Sequence, residues 1–296
     1  MSSSDMPILE LAPAKINLYL HVEKKLNNGM HSIDSLITFS DCADQVFVSP
    51  QKNITLDRYG PMSANLPSVQ DDYVYKAAQK LAILTKNKLG AKIIVEKNLP
   101  VASGLGGGTA DAAAVIRALG KLWRVDICDD LKRNLAQDLG SDLYVCLESK
   151  PSRVRGIGDD LLSLKVPHNL SAVLVNPLET LLTAEVFSVF RKNVQINQSV
   201  DIPGSWSDDS YEFIRQIKKL RNDLTDPAIS LCPIISEVLF KLNSSDGCML
   251  ERLSGSGATC FGLFADHESA ENAAETIKSN NLDWWVTTTK LNSKHV

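Results

Sequence analysis

PVASGLGGGTADAAAV, residues 100–115, sets four glycines within the five positions 104–108 and then turns abruptly to alanine. Glycine loses more backbone entropy on folding than any other residue, so such a run implies a need for bare, freely turning backbone. The segment before it, AKIIVEKNLP (91–100), reads as a strand closed by Pro100. After it, Val115, Ile116, Leu119, Leu122 and Trp123 recur at helical spacing. A strand, a glycine turn and a helix in that order aim unpaired backbone N–H groups into the turn, and the helix dipole adds partial positive charge. The product is an anion seat, worth about 0.3–1 kcal/mol when exposed and up to about 2 kcal/mol when partly buried. Two common phosphate loops do not match. Thr109, Ala110 and Asp111 follow Gly108, so the lysine of G-x-x-x-x-G-K-[ST] is missing, and Thr109 stands where G-x-G-x-x-G needs its third glycine. An ordinary glycine-rich turn is the competing reading of this stretch alone.

The bulk numbers narrow the setting. The 296 residues are enough for two domains, and 44% apolar with 22% charged residues is the balance of a globular chain. A net charge of −4 with no dense Lys/Arg block argues against nucleic-acid and anionic-membrane partners. Six cysteines, at 42, 128, 146, 232, 248 and 260, form no C-x-x-C pair, and Cys146 and Cys260 lie in apolar runs as core thiols. The start, MSSSDMPILELAPAK, has neither a basic segment nor a long apolar one, and no stretch reaches the roughly 18 to 20 apolar residues of a membrane span. A cytoplasmic protein, a monomer or weak homodimer, is the expectation.

Along the chain, 15–22, 33–39, 44–50 and 52–57 read as strands, and 71–84 as a helix with Val74, Ala77, Ala78, Leu81 and Ile83 on one side. A further helix runs from Asp129–Asp130 to Gly140, and SDLYVCLE (141–148) reads as a strand. The turn-rich SKPSRVRGIGDD (149–160) marks a boundary, giving domains 1–155 and 156–296. In the second, SAVLVNP is a buried strand, TAEVFSVF and YEFIRQIKKL are helices, and DPAISLCPIISEVLFKLN (226–243) is one helix with Pro233 near its first turn. CMLERLSGSGATCFGLFAD gives strand, turn, strand; ESAENAAETIKSN is a polar helix and DWWVTTTKLN a closing strand. The class is α+β, with an antiparallel sheet in the second half.

Two further segments change the weight of the glycine run. PAKINL (13–18) and LSGSGATCFGLF (253–264), read with P-x-x-S-G-L-G-G-G-T, form an ordered triple across the chain. That triple resembles the GHMP kinases, named for galactose, homoserine, mevalonate and phosphomevalonate. PAKINLYLHV, GMHSIDSLI, VYKAA, GLGGGTADAAA, LGSDLYVCL, RGIGD, TAEVF and RNDLTDPA are similar, more narrowly, to the branch that phosphorylates 4-diphosphocytidyl-2-C-methyl-D-erythritol in the non-mevalonate route to isoprenoids. The resemblance implies a two-domain fold: an N-terminal ribosomal-S5-like domain with a left-handed β-α-β unit, and a ferredoxin-like C-terminal domain. It also implies ATP and Mg²⁺ as cofactors and a cytidine-diphosphate-linked small molecule as substrate.

Residue by residue, the resemblance makes Asp142 the catalytic base and Lys15 its cationic companion. A lysine close to an aspartate favours the ionised acid, ready to accept a hydroxyl proton. Asp111 is a rival base; in the first turn of a helix the dipole favours a carboxylate anyway, so it reads as structural or close to the metal. ATP contacts are implied along Pro100, Val101, Ala102, Ser103, Gly104, Leu105, Gly106, Gly107, Gly108, Thr109 and Ala110, with Asp72 and Lys97 on the adenine side. Asp72 replaces the family's usual asparagine. Either Thr109 or Asp111 is placed to meet a metal. On the substrate side stand Asn17, Met30, His31, Asp142, Thr183 and Phe187. Met30 replaces an aromatic residue that would grip the cytosine, which implies weaker or differently shaped binding of the base. The alternatives are a sibling kinase acting on mevalonate, homoserine or a sugar, and a catalytically silent binding protein on the same fold.

Overall fold

The computed structural model describes residues 6–26, 31–193 and 201–293. It divides into two compact units interleaved along the sequence: Met1–Ala14, Cys42–Val101 and Gly106–Ser149 in the first, Lys15–Asp41, Ala102–Leu105 and Lys150–Val296 in the second. The division falls inside two long strands, β1 (Ile8–Lys25) and β2 (His31–Gln51), and inside the glycine run itself. The two strands read at 33–39 and 44–50 are one, because the backbone between them stays extended.

In the first unit the distal half of β2 pairs antiparallel with β4, with Val46 opposite Val95 and Val48 opposite Ile93, while β3 (Thr55–Tyr59) pairs parallel with β4 (Gly90–Glu96). Parallel neighbours need a crossover, and α1 (Tyr73–Leu84) supplies it, completing a β-α-β unit. Asp72 caps α1, accepting from the Val74 N–H at 2.8 Å, and Val74, Ala77, Ala78 and Leu81 face the core. Ile83, expected on the same face, is exposed: two residues beyond Leu81 the helix has turned by roughly 200°. The glycine run leads into α2 (Gly107–Trp123), which packs on α1 and buries Ala110, Ala112, Ala113 and Ala114. Next, α3 (Asp129–Leu139) ends at Gly140, whose φ of +105° suits glycine alone.

The segment 141–148, expected as a strand, is a helix, α4 (Asp142–Glu148). A short apolar run looks alike in either state, and here the tertiary context decides. Leu143, Val145, Cys146 and Leu147 bury as α4 packs on α2, and Arg117 of α2 donates to the Cys146 carbonyl at 2.9 Å.

In the second unit the turn-rich 149–160 carries an unforeseen hairpin. Its strand β5 (Ser152–Gly156) pairs with the proximal half of β2, Val154 opposite Ser35, and with β6 (Asp160–Ser163). Then come β7 (Leu170–Asn176), α5 (Thr183–Asn193) and α6 (Ser210–Lys218). The single helix expected over 226–243 is broken into α7 (Thr225–Leu231) and α8 (Ile234–Asn243). Pro233 has no N–H to continue α7, and it pushes Cys232 out of helical geometry, to φ −136° and ψ 81°. The chain closes with β8 (Cys248–Leu253), β9 (Cys260–Phe264), α9 (His267–Asn280) and β10 (Trp285–Leu291). The antiparallel order β10-β7-β9-β8 is the ferredoxin-like arrangement. Val173, Val175, Cys260, Phe264 and Ile277 belong to its core.

Candidate functional site

The glycine run separates glycines that the protein itself requires from those it does not. Gly104 has φ +76°, and a Cβ there would collide with the Ser254 carbonyl oxygen; Gly106 has φ +67°. A Cβ on Gly107 would make only ordinary contacts, and on Gly108 it would enter open space. Nothing in the protein forbids side chains at these last two positions, and bare backbone there suits close approach of a ligand. Gly106 is also the cap of α2 and offers no side-chain acceptor, so the first N–H groups of this 17-residue helix carry no side-chain cap.

Within the second unit, residues 103–105 are tied down by backbone. Thr259 N–H donates to the Ser103 carbonyl at 3.0 Å, Lys15 N–H to the Leu105 carbonyl at 2.8 Å, and the Ser254 hydroxyl to the Gly104 carbonyl at 3.2 Å. The Ser103 hydroxyl is buried without a hydrogen-bond partner. The second glycine turn is supported in turn by Asn222, whose Nδ2 donates to the carbonyls of Leu253 (2.9 Å) and Gly255 (2.7 Å). Lys15 and Asn17 are both buried on β1, and Lys15 Nζ donates to Asn17 Oδ1 at 3.3 Å. The Asn17 Nδ2 reaches Ser35 Oγ at 2.8 Å, and its backbone N–H reaches Ser254 Oγ at 3.3 Å.

In the first unit, Lys97 is buried and pairs through Nζ with both Asp44 and Asp111. Asp44 Oδ1 accepts from the backbone N–H groups of Asn98 and Leu99, the latter at 2.8 Å. Burial, opposed by Lys97 and reinforced by Asp44, pushes the Asp111 carboxyl up to about 8, while its two carboxylate partners lift Lys97 against the pull of burial. Asp111 is the fifth residue of α2, beyond the first turn where it was expected; its role is set by Lys97 and not by the helix end. Asp44 was not singled out from the sequence. One signal was present: it shares the inward parity of Val46 and Val48, where an acid needs a buried partner.

The remaining predicted residues fall as follows. Asp142 is half-buried at the start of α4 in the first unit, and not at a strand's lip. Asp72, besides capping α1, pairs with Arg58 at 2.7 Å. Val101 and Ala102 are exposed, Ala102 in the left-handed region. Thr109 is half-buried and Ala110 buried on α2, and Pro100 is buried before the run. In the second unit His31 stacks on Phe187, with ring centroids 5.7 Å apart and planes at 25°, and meets Phe190 edge-on. Thr183 opens α5 with its hydroxyl 2.8 Å from that of Ser256. Met30 lies outside the described residues. A second network missed in the sequence centres on Asp34, which accepts from the Tyr19 hydroxyl at 2.9 Å and from two nitrogens of Arg153.

Among the described residues no three His, Cys, Asp or Glu side chains cluster to hold a metal ion, and no helix is long and apolar enough to cross a membrane. Asp111, with one oxygen on Lys97 and the whole group sealed from solvent, does not suit Mg²⁺, which keeps several waters.

Comparison with known proteins follows the same lines. Residues 72–150 match the family described as GHMP kinases N terminal domain, and residues 209–282 match GHMP kinases C terminal. The 4-diphosphocytidyl-2-C-methyl-D-erythritol kinase of Cereibacter sphaeroides is 41% identical, over 95% of this chain and 98% of its own length. The enzyme of that name from Rhodospirillum rubrum is 37% identical, over 96% and 92%. A crystal structure of 4-(cytidine 5'-diphospho)-2C-methyl-D-erythritol kinase superposes with a TM-score of 0.78 at 28% identity, covering 97% of this chain and all of that one.

Proposed function

Because this chain belongs to the GHMP kinases, and within them to the 4-diphosphocytidyl-2-C-methyl-D-erythritol kinase family, we propose that it passes the γ-phosphoryl group of ATP to the 2-hydroxyl of 4-diphosphocytidyl-2-C-methyl-D-erythritol. The step belongs to the non-mevalonate route to isoprenoid precursors. The observation that carries the donor half of this reading is the uncapped start of α2, with open space at Gly108. Backbone N–H groups and the helix dipole supply there the positive field that a lysine supplies in other phosphate loops. Mg²⁺ would be held chiefly by the ATP phosphates, with the Thr109 hydroxyl at the start of α2 as the protein's donor, and would offset charge as the phosphoryl group moves.

The chemistry assigned to the chain's own residues is modest, because phosphoryl transfer is mostly positioning and electrostatics. Asp142 takes the proton of the acceptor hydroxyl as its oxygen bonds to the γ-phosphorus, while the bond to the bridging oxygen breaks and ADP leaves. Lys15 supplies positive charge, and Asn17 sets its direction through the 3.3 Å hydrogen bond. The Phe187 ring, backed by His31, offers a flat face for the cytosine, and Thr183 a hydroxyl for its ribose or phosphates. ATP consumption should be measured with the cytidylated methylerythritol, mevalonate and homoserine as acceptors. Turnover with the first is expected; turnover with mevalonate or homoserine but not the first would overturn the reading.

A further inference from the structure

We propose that Asp44 is a positioning residue for ATP: its buried carboxylate locks together the two flanks of the glycine run, the strand end at 97–99 and the helix start at 107–111. The proposal rests on the donor-site reading above and adds to it a residue that touches no substrate. Three observations carry it, all within the first unit. One oxygen of Asp44 receives two successive backbone N–H groups, from Asn98 and Leu99, at the corner just before Pro100. Its other oxygen holds Lys97, whose ammonium bridges on to Asp111 in α2. A Cβ built on Gly107 would stand 3.9 Å from both Asp44 Oδ2 and Lys97 Nζ, so the cluster lies directly beneath the first turn of α2.

Such a cluster is a poor means of gaining stability. Burying three ionisable groups carries a large desolvation cost before pairing, and a packed apolar trio does as well or better. What a charged cluster supplies is direction: Asp44 is wholly buried, and each of its oxygens is fixed by a named donor. A loop that binds phosphates through backbone N–H groups needs those groups pre-aimed, since an error of about 1 Å is enough to weaken them. Asp44 does this from both ends of the run at once.

The test uses Asp44→Asn, which keeps an acceptor oxygen and removes the charge, and Asp44→Ala, which removes both. ATP and CDP binding are measured by calorimetry on the full chain, with amide hydrogen exchange followed along residues 94–110. Asp44→Asn is expected to weaken ATP about tenfold and Asp44→Ala at least as much, with CDP affinity within twofold of the unsubstituted protein. Exchange at Asn98, Leu99 and the glycine run should quicken more than elsewhere. Unchanged ATP affinity in a folded variant, or equal losses for ATP and CDP, would overturn the inference. So would failure of both variants to fold, which would make Asp44 a residue of the core. Absence of ATP binding in the unsubstituted protein would instead refute the donor-site reading.

Discussion

Two aspartates ten residues apart on β2, Asp34 and Asp44, are both buried, and they are satisfied in opposite ways. Asp34, in the second unit, is balanced: a forked Arg153 and the Tyr19 hydroxyl share one carboxylate, which raises Arg153 and, with burial, raises Tyr19. Asp44, in the first unit, belongs to an acid-rich cluster, two carboxyl groups on one ammonium, and burial, reinforced by Asp44, raises Asp111. The difference follows from what each anchors. Asp34 orients side chains on neighbouring strands of the unit that carries His31 and Phe187. Asp44 holds backbone N–H groups at the edge of the glycine run, and a second acid reaches the helix beyond it. On the proposed function, balanced contacts support the side that would take the base, and a directed charge cluster supports the backbone that would meet phosphate.

The largest effect should come from residues outside both clusters and so provides the baseline for comparing them. Asp142→Asn and Lys15→Met should each lower kcat by roughly 10²–10⁴, the range of a lost acid–base partner, with thermal unfolding unchanged. If either substitution unfolds the protein, these residues are structural. Next come the cations of the two clusters. Lys97→Met strands the buried Asp44 carboxylate and leaves the Asp111 carboxyl without its cation, and should cost about 3–5 kcal/mol in urea unfolding. Arg153→Met leaves Asp34 with the Tyr19 hydroxyl and a partly open surface, and should cost about 1–3 kcal/mol. Equal losses would erase the distinction between the clusters.

The remaining effect is on pH dependence. Asp111 ionises near 3.8 when unfolded and at about 8 when folded, so between those values the folded state holds the extra proton. Its contribution to stability is therefore fully present below about pH 4 and is lost as pH rises through about 8. Asp111→Asn should flatten that part of the fall in melting temperature between pH 5 and 8. An Asp34→Asn variant should leave that slope in place. A slope unaffected by Asp111→Asn would mean that burial and Asp44 do not raise the Asp111 carboxyl as the geometry requires.

Much of the fold was legible because its signals are local. The glycine turn at 104–108 and the strand and helix that flank it declare themselves between residues 91 and 123, and the strand–turn–strand of 248–266 does so through its glycines. The misreadings occur where context outweighs local pattern. SDLYVCLE fits a strand or a buried helix equally until α2 packs against it, and the break at Cys232–Pro233 required treating proline as a stop and not only as a start. The site divides in the same way. Lys15, Asn17 and Asp142 could be proposed from their motifs in the sequence. Asp44 could not be assigned partners there, because Lys97 and Asp111 lie 53 and 67 positions further on and only the fold brings them to it. The hairpin of β5 and β6 was hidden by the turn formers that also build it.

The central claim is that one phosphoryl group moves from ATP to a single hydroxyl of the cytidylated acceptor. Phosphorus NMR of the full chain with ATP, Mg²⁺ and 4-diphosphocytidyl-2-C-methyl-D-erythritol tests it directly. The account predicts one new phosphomonoester resonance growing in step with ADP, one for one. ADP accompanied only by inorganic phosphate, with the acceptor's resonances unchanged, would contradict it.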